Sequence, residues 1–98
     1  MTDRELLEAA AKAANIPIDA WYESANAFHL PHGTVAAWWN PLSDDGDALR
    51  LAMQCNMRVS QREAWVDTHA VHLICVVGDT MSATRRAIVC AAAAMAAA

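Results

Sequence analysis

The histidines and one cysteine of this sequence come closest to the spacing of a reactive or metal-binding site. They form two His-x-x-His pairs, His29/His32 and His69/His72, and Cys75 follows the second pair. Zinc binds four nitrogen or sulfur ligands in a tetrahedron, and a His-x-x-His pair on one turn supplies two of them. A zinc site is therefore an alternative, for which one His-x-x-His pair would supply two of the four ligands.

The context of these histidines argues against a metal centre. His29 and His32 flank a turn proline, whereas His72 lies in a predicted strand, where residues three apart point to opposite faces. The same geometry separates His72 from Cys75, so the pair of base and nucleophile that covalent catalysis needs is not expected. We predict no metal, no cofactor and no enzymatic activity, and keep a metal-dependent enzyme as the third hypothesis.

Three carboxylates beside Gly46 raise the question of calcium. They are Asp44, Asp45 and Asp47, but the closing Glu of an EF-hand loop would fall at Cys55. Negative side chains also stabilise the first turn of a helix through its dipole. The sequence predicts a helix start here, with Ser43 as N-cap.

Composition excludes several classes of partner. The formal charge is −4, with one Lys and six Arg, so the basic surface that nucleic-acid binding needs is missing. Only three glycines occur, with no phosphate-binding loop among them. The longest apolar run, from Ala87 to Ala98, is too short for a membrane span. The three cysteines lie far apart in apolar runs, as expected of reduced thiols in a cytoplasmic protein.

The adjacent Trp38 and Trp39 are the first candidate binding residues. They end a predicted extended segment, in which neighbouring side chains point to opposite faces, so one should be buried and the other exposed. Together with Trp21, Tyr22 and Trp65 they form either an aromatic recognition surface or part of the core.

Arg85 and His72 complete the candidate binding residues. A pocket between sheet and C-terminal helix, around His72, Trp39 and Arg85, would make the chain a small-ligand-binding domain. The plainer interpretation of Arg85 and Arg86 is the solvated rim of the last helix.

The hydrophobic pattern places three helices. A Thr2/Glu5 capping box opens the first, which Asn15 and Pro17 end. The second has an apolar face formed by Ala48, Leu51, Ala52 and Cys55, broadened by Leu49 and Met53, and leaves Arg50 and Gln54 in solvent. The third runs from Thr80 to about Ala97 after a cap at Asp79, with Met81, Ala87 or Ile88, Ala91 and Met95 as its packed stripe. Its Ala/Met surface is a candidate for self-association.

Strand signals lie between the helices. Residues 18–39 predict one or two short strands. Residues 57–66 begin with the alternation of a strand that has one solvent-exposed face, and Asp67–His69 predicts a turn. The β-branched run 70–77 predicts a central strand covered on both faces. The fold class is α+β: residues 1–98 form a single domain with a small, mostly antiparallel sheet of three or four strands and helices packed on it, like an α/β/α sandwich.

Two motifs resemble the phage ABA-sandwich domain family. They are Trp39–Ala52 and Ala83–Val89, followed by an Ala-rich end; Thr2–Glu5 is similar as well. The resemblance implies a layered domain of phage or prophage origin, acting in the host cytoplasm, and supplies no catalytic residues. We therefore expect a small accessory protein that binds a host or phage protein, with the small-ligand-binding domain as the alternative.

Overall fold

The computed structural model describes residues 1–31, 38–74 and 78–97. Within these ranges the chain forms three helices and six short strands. In chain order they are α1 (Asp3–Ala14), β1 (Trp21–Tyr22), β2 (Ala27–His29), β3 (Trp38–Trp39), α2 (Asp45–Gln54), β4 (Arg58–Ser60), β5 (Trp65–Asp67), β6 (His72–Ile74) and α3 (Thr80–Ala97). The predicted α+β class is confirmed.

Helix α1 begins and ends where the sequence predicts. The Thr2 hydroxyl accepts the Glu5 N–H at 3.1 Å, and the Glu5 carboxylate accepts the Thr2 N–H at 3.0 Å, so the capping box is complete. At the other end Asn15 adopts a left-handed conformation, which satisfies the last carbonyls. Leu7, Ala10, Ala11 and Ala14 form the buried face of the helix.

Strands β1, β2 and β3 form a three-stranded antiparallel sheet, called sheet A below. Its registers sort the side chains by face. Trp21, Phe28 and Trp39 lie opposite one another in one row, and Phe28 and Trp39 are buried. The neighbouring pairs, Tyr22 with Ala27 and His29 with Trp38, therefore share the other face. This second row includes the exposed aromatics.

Helix α2 starts one residue later than predicted. Its N-cap is Asp44, whose carboxylate accepts the Asp47 N–H at 2.8 Å, whereas Ser43 bonds back to the Asn40 carbonyl. The Asn40 backbone explains the shift, because its carbonyl also accepts the Ser43 and Asp44 N–H groups and closes a turn before the helix. The predicted core positions of α2 are buried, but Leu49 and Met53 are not: 62% and 71% of each residue is exposed.

Strands β4, β5 and β6 form a second antiparallel sheet, sheet B, with β5 in the middle. The segment predicted as one strand from residue 57 turns at 61–64, where Ala64 has a φ of 54°, and returns as β5. The run 70–77 is correspondingly not central: β6 lies at an edge of sheet B. A β-branched composition reports burial and strand propensity, not position within the sheet. Residues 75–77 lie outside the described part.

The predicted span of helix α3 is confirmed. At its start the Asp79 carboxylate accepts the Ser82 N–H at 2.9 Å. Its most extensive contacts are with α1. Ala87, Val89, Ala91 and Ala92 are fully buried, so the small side chains are used for close approach within the chain. Among the side chains that the structure describes near the C-terminus, the surface predicted for self-association is thereby reduced to Ala94 and the half-buried Met95 and Ala96. Met81, which the sequence predicts to be packed, is 54% exposed. In the described ranges no helix is long and apolar enough to cross a bilayer.

The core joins both sheets to the three helices. Leu7, Leu51, Phe28, Trp39 and Val66 belong to one buried cluster with the alanines of α3. Helix α2 lies between β3 and β4 in the chain, and so between the two sheets in sequence, and it packs against α3. The layers are therefore two small sheets around helices, in place of the single predicted sheet.

Candidate functional site

Asn40 fixes the segment that joins sheet A to α2. Its side-chain amide donates to the Asn26 carbonyl at 2.6 Å, and its side-chain oxygen accepts the Leu42 N–H at 2.9 Å. Its backbone N–H donates to the buried Asp47 carboxylate at 2.9 Å. The other Asp47 oxygen accepts from Arg50 at 2.7 Å. Asp47 therefore links sheet A to the first turn of α2, which is a structural task for the carboxylate.

The tryptophan doublet divides as the extended geometry predicts. Trp39 is 3% exposed and belongs to the core, whereas Trp38 is 45% exposed on the outer face of sheet A. Only Trp38 is therefore available to a partner. Trp39 borders a separate cavity of about 240 Å³ together with Leu30, Arg50 and Gln54.

Tyr22, His29 and Trp38 form a continuous aromatic surface on the outer face of sheet A, called the aromatic row below. The Tyr22 and His29 rings each lie 5.4 Å from the Trp38 ring, centroid to centroid, and 6.1 Å from each other, all edge-on. Edge-to-face contacts are favourable for aromatic rings, so the three side chains support one another. The Asp19 carboxylate lies 3.9 Å from His29 Nδ1.

Arg85 is held between two segments and is not the solvated rim that the sequence predicts. Its Nε donates to the Leu42 carbonyl at 2.9 Å and its Nη1 to the Asp45 carboxylate at 2.7 Å. The side chain is 19% exposed. Arg85 therefore clamps α3 to the start of α2. Arg86 contacts Asp3 of α1 at 3.3 Å.

An open groove lies between α2, β4 and α3, and we call it the apolar groove. It encloses about 280 Å³. Leu49, Val59 and Met81 form its exposed walls, and all three are among the exposed large hydrophobic residues of the described chain. Ala48, Ala52, Thr84 and Ile88 form its buried floor. The ion pair of Asp45 and Arg85 stands at its rim.

His72 lies on sheet B, within an ion-pair network. Arg58 donates to the Asp67 carboxylate, and His72 Nδ1 lies 3.5 Å from the same group. The Trp65 ring lies 6.0 Å from the His72 ring. The hydrogen bond from Arg58, aided by His72, holds the pKa of Asp67 below its ordinary value. The partners of Asp67 are thus supplied by its own sheet.

The four predicted binding residues do not converge. Arg85 lines the apolar groove, Trp39 lines the cavity described above, Trp38 lines a third cavity beside sheet A, and His72 is exposed on sheet B. The pocket predicted around His72, Trp39 and Arg85 is therefore replaced by separate surfaces. Strand pairing and helix docking decide these neighbourhoods, and local sequence does not encode them.

The structure describes only some of the side chains that the sequence offers as metal ligands. His32 and Cys75 lie outside the described residues, so neither His29/His32 nor His72/Cys75 has a geometry here. Among the residues that the structure places, no group of three or more His, Cys, Asp or Glu is arranged to hold a metal ion. Cys55 is buried, and desolvation raises the pKa of its thiol, which makes it a poor nucleophile.

Sequence reasoning missed His29, Asp47 and Leu49 as surface or linking residues. For His29 the sequence did contain a signal. His29 is two residues from Ala27 in the same strand, so both point to one face of the sheet, and strand pairing puts the exposed tyrosine and tryptophan of the aromatic row on that face. Leu49 gave no such signal, since an apolar residue beside a helix face is ordinarily assigned to the core.

Comparisons of the chain with protein-family models, with curated proteins and with solved structures find no match. The likeness to the phage ABA-sandwich family stays a prediction.

Proposed function

We propose that this chain is a small accessory protein of phage or prophage origin that acts in the host cytoplasm by binding another protein, host or phage. The origin rests on the two motifs that resemble the phage ABA-sandwich family. The binding role rests on one observation: the apolar groove, whose walls of Leu49, Val59 and Met81 stay exposed in the folded chain.

The shape of the groove favours a macromolecular occupant over a small ligand. Small-molecule pockets enclose roughly 300–1,000 Å³ and bury about 70–90% of the ligand surface. This groove offers about 280 Å³, and its walls are more exposed than buried at Leu49 and Met81. Such a site covers apolar side chains that project from a partner, but leaves the remainder of that partner outside. The small-ligand-binding domain is thus the second candidate.

The groove chemistry indicates an amphipathic helix as the occupant. Two helices, α2 and α3, border it with apolar walls, and partner helices bind such grooves through apolar anchors spaced three to four residues apart. Met81 has a flexible, polarisable side chain that adapts to the shape of what it contacts. The floor contributes Ala48 and Ala52, whose small side chains leave depth for an inserted anchor.

Site-specific photo-crosslinking tests the proposal. A photoreactive phenylalanine analogue replaces Leu49 in one variant and Met53 in another, and each is irradiated in host lysate with and without phage components. Met53 is the matched control because it is similarly exposed on the same helix but does not line the groove. We expect a defined protein adduct from position 49 that position 53 does not give, and that a Met81→Asp change on the opposite wall of the groove abolishes.

The result that contradicts the proposal is an identical adduct pattern from positions 49 and 53. To separate the two candidates, the unlabelled protein is also screened by thermal shift against metabolites. A stabilisation that Met81→Asp removes, without any protein adduct, would support the small-ligand-binding domain instead.

A further inference from the structure

The aromatic row of sheet A is a second surface, and it shares no residue with the apolar groove. Trp38 and Tyr22 are 45% and 46% exposed, and the His29 side chain is 38% exposed between them. Trp and Tyr are the residues most enriched in binding hot spots, since they bury large areas at low entropic cost. The row therefore has the composition of a binding surface, and its surroundings specify what it would bind.

Those surroundings are acidic. From Ala13 to Leu49 the sequence contains five carboxylates, Asp19, Glu23, Asp44, Asp45 and Asp47, and not one Lys or Arg. Residues from elsewhere neutralise Asp45 and Asp47, through Arg85 and Arg50 respectively. Asp19 contacts His29, a neutral side chain unless protonated, and Glu23 accepts the indole N–H of Trp21. A negative field is thus left beside the aromatic row.

Part of this negative charge lies in a cavity next to Trp38. It encloses about 480 Å³ and is lined by Trp38, Asn40, Ser43, Asp44, Asp47 and Arg50, with two alanines. Two carboxylates and one guanidinium leave its lining with a formal charge of −1. Arg50 is occupied by Asp47 at 2.7 Å and lies 3.9 Å from Asp44. The Asp44 carboxylate is more than half exposed and stands in the same cavity as the Trp38 ring.

We propose that this surface binds an arginine side chain presented by a partner protein, with the guanidinium lying against Trp38 and compensated by Asp44. Cations are attracted to the faces of aromatic rings, most strongly to Trp. Arginine fits better than lysine, because its planar and weakly hydrated guanidinium stacks on a ring and meets a carboxylate at the same time. The acidic field that attracts this group repels nucleic-acid phosphates.

A titration with a defined peptide tests the proposal. The probe is acetyl-Gly-Arg-Gly-Arg-Gly-amide, added to the full chain at low salt and followed by amide and indole N–H signals in nuclear magnetic resonance. We expect saturable shifts at Tyr22, His29 and Trp38, and a Kd raised roughly tenfold by Trp38→Leu, the ratio that 1.4 kcal/mol gives. Trp65→Leu is the control, because Trp65, like Trp38, lies beside a histidine ring but belongs to sheet B.

A second variant protects the test against a folding defect. Asp44→Asn removes the charge but retains the helix cap, since Asn and Asp serve equally as N-cap. It should weaken peptide binding severalfold without lowering the melting temperature. The same peptide with citrulline in place of arginine should bind at least tenfold more weakly. The proposal is overturned by an absence of saturable shifts, by equal binding of the citrulline peptide, or by equal losses in Trp38→Leu and Trp65→Leu.

Discussion

The two sheets have the same construction and opposite outer faces. Each has three short antiparallel strands, a hairpin turn with a residue at positive φ, and a tryptophan that donates its indole N–H to a glutamate two residues away. On sheet B the outer row is Arg58, Asp67 and His72, in which opposite charges meet across strands. On sheet A it is aromatic, and the neighbouring carboxylates Asp19 and Glu23 pair with no Lys or Arg in the described part of the chain.

In the outer row of sheet B the polar side chains are paired with one another, whereas the aromatic row of sheet A contains no Lys or Arg to pair with the carboxylates around it. Cross-strand pairs of opposite charge stabilise a sheet and leave little binding capacity. Exposed aromatic side chains retain apolar surface for a partner. The inner faces differ in the size of their buried side chains: among the side chains whose burial the structure describes, sheet A buries Phe28 and Trp39, whereas sheet B buries Val66. In this described part of the chain, sheet A therefore contributes more to the core, and it also presents the exposed aromatic row.

The largest expected effect tests the inner faces. Phe28→Ala should lower the free energy of unfolding by about 3–5 kcal/mol, through lost burial and a residual cavity. Val66→Ala removes two carbons and should cost about 2 kcal/mol, at roughly 0.8 kcal/mol per carbon plus a cavity contribution. Urea denaturation followed by circular dichroism measures both. Equal losses would remove the energetic distinction between the sheets.

A smaller effect is expected at the connection from sheet A to α2. Asp44→Ala removes the N-cap and should cost about 1 kcal/mol. Ser43→Ala, at the position that sequence predicts as the cap, should change stability by less than about 0.5 kcal/mol, as for a surface substitution. The two urea midpoints should therefore differ. A larger loss in Ser43→Ala would restore the sequence prediction against the structure.

The smallest effect concerns the outer face of sheet B. Arg58 and His72 hold the pKa of Asp67 below its ordinary value, so ionised Asp67 stabilises the folded state above the unfolded pKa of about 3.9. That contribution is lost as the pH falls through the lower folded pKa. Asp67→Asn should therefore flatten the decline of stability with acid below about pH 4, and Arg58→Gln should do so in part. An unchanged acid profile in both variants would show that the row is not internally compensated.

Much of the local structure was predictable, because it depends on neighbours in sequence. The capping box of α1, the left-handed Asn15, the buried face of α2 and the split of the tryptophan doublet follow from side-chain chemistry and from helix and strand periods. The N-cap of α2 was misplaced by one residue, since Ser and Asp are both good caps and only the Asn40 turn distinguishes them.

Sequence alone determined where α1 and α3 start, which side chains alternate between faces, and that the chain carries a net negative charge, because each depends on residues a few positions apart or on a sum over the chain. Tertiary structure decided that the strands divide into two sheets, that Arg85 is a clamp and not a rim, and that Leu49 and Met81 remain exposed. These outcomes arise from contacts between residues distant along the chain, such as Arg85 with Leu42. Periodicity identifies an apolar face, but only packing determines whether anything covers it.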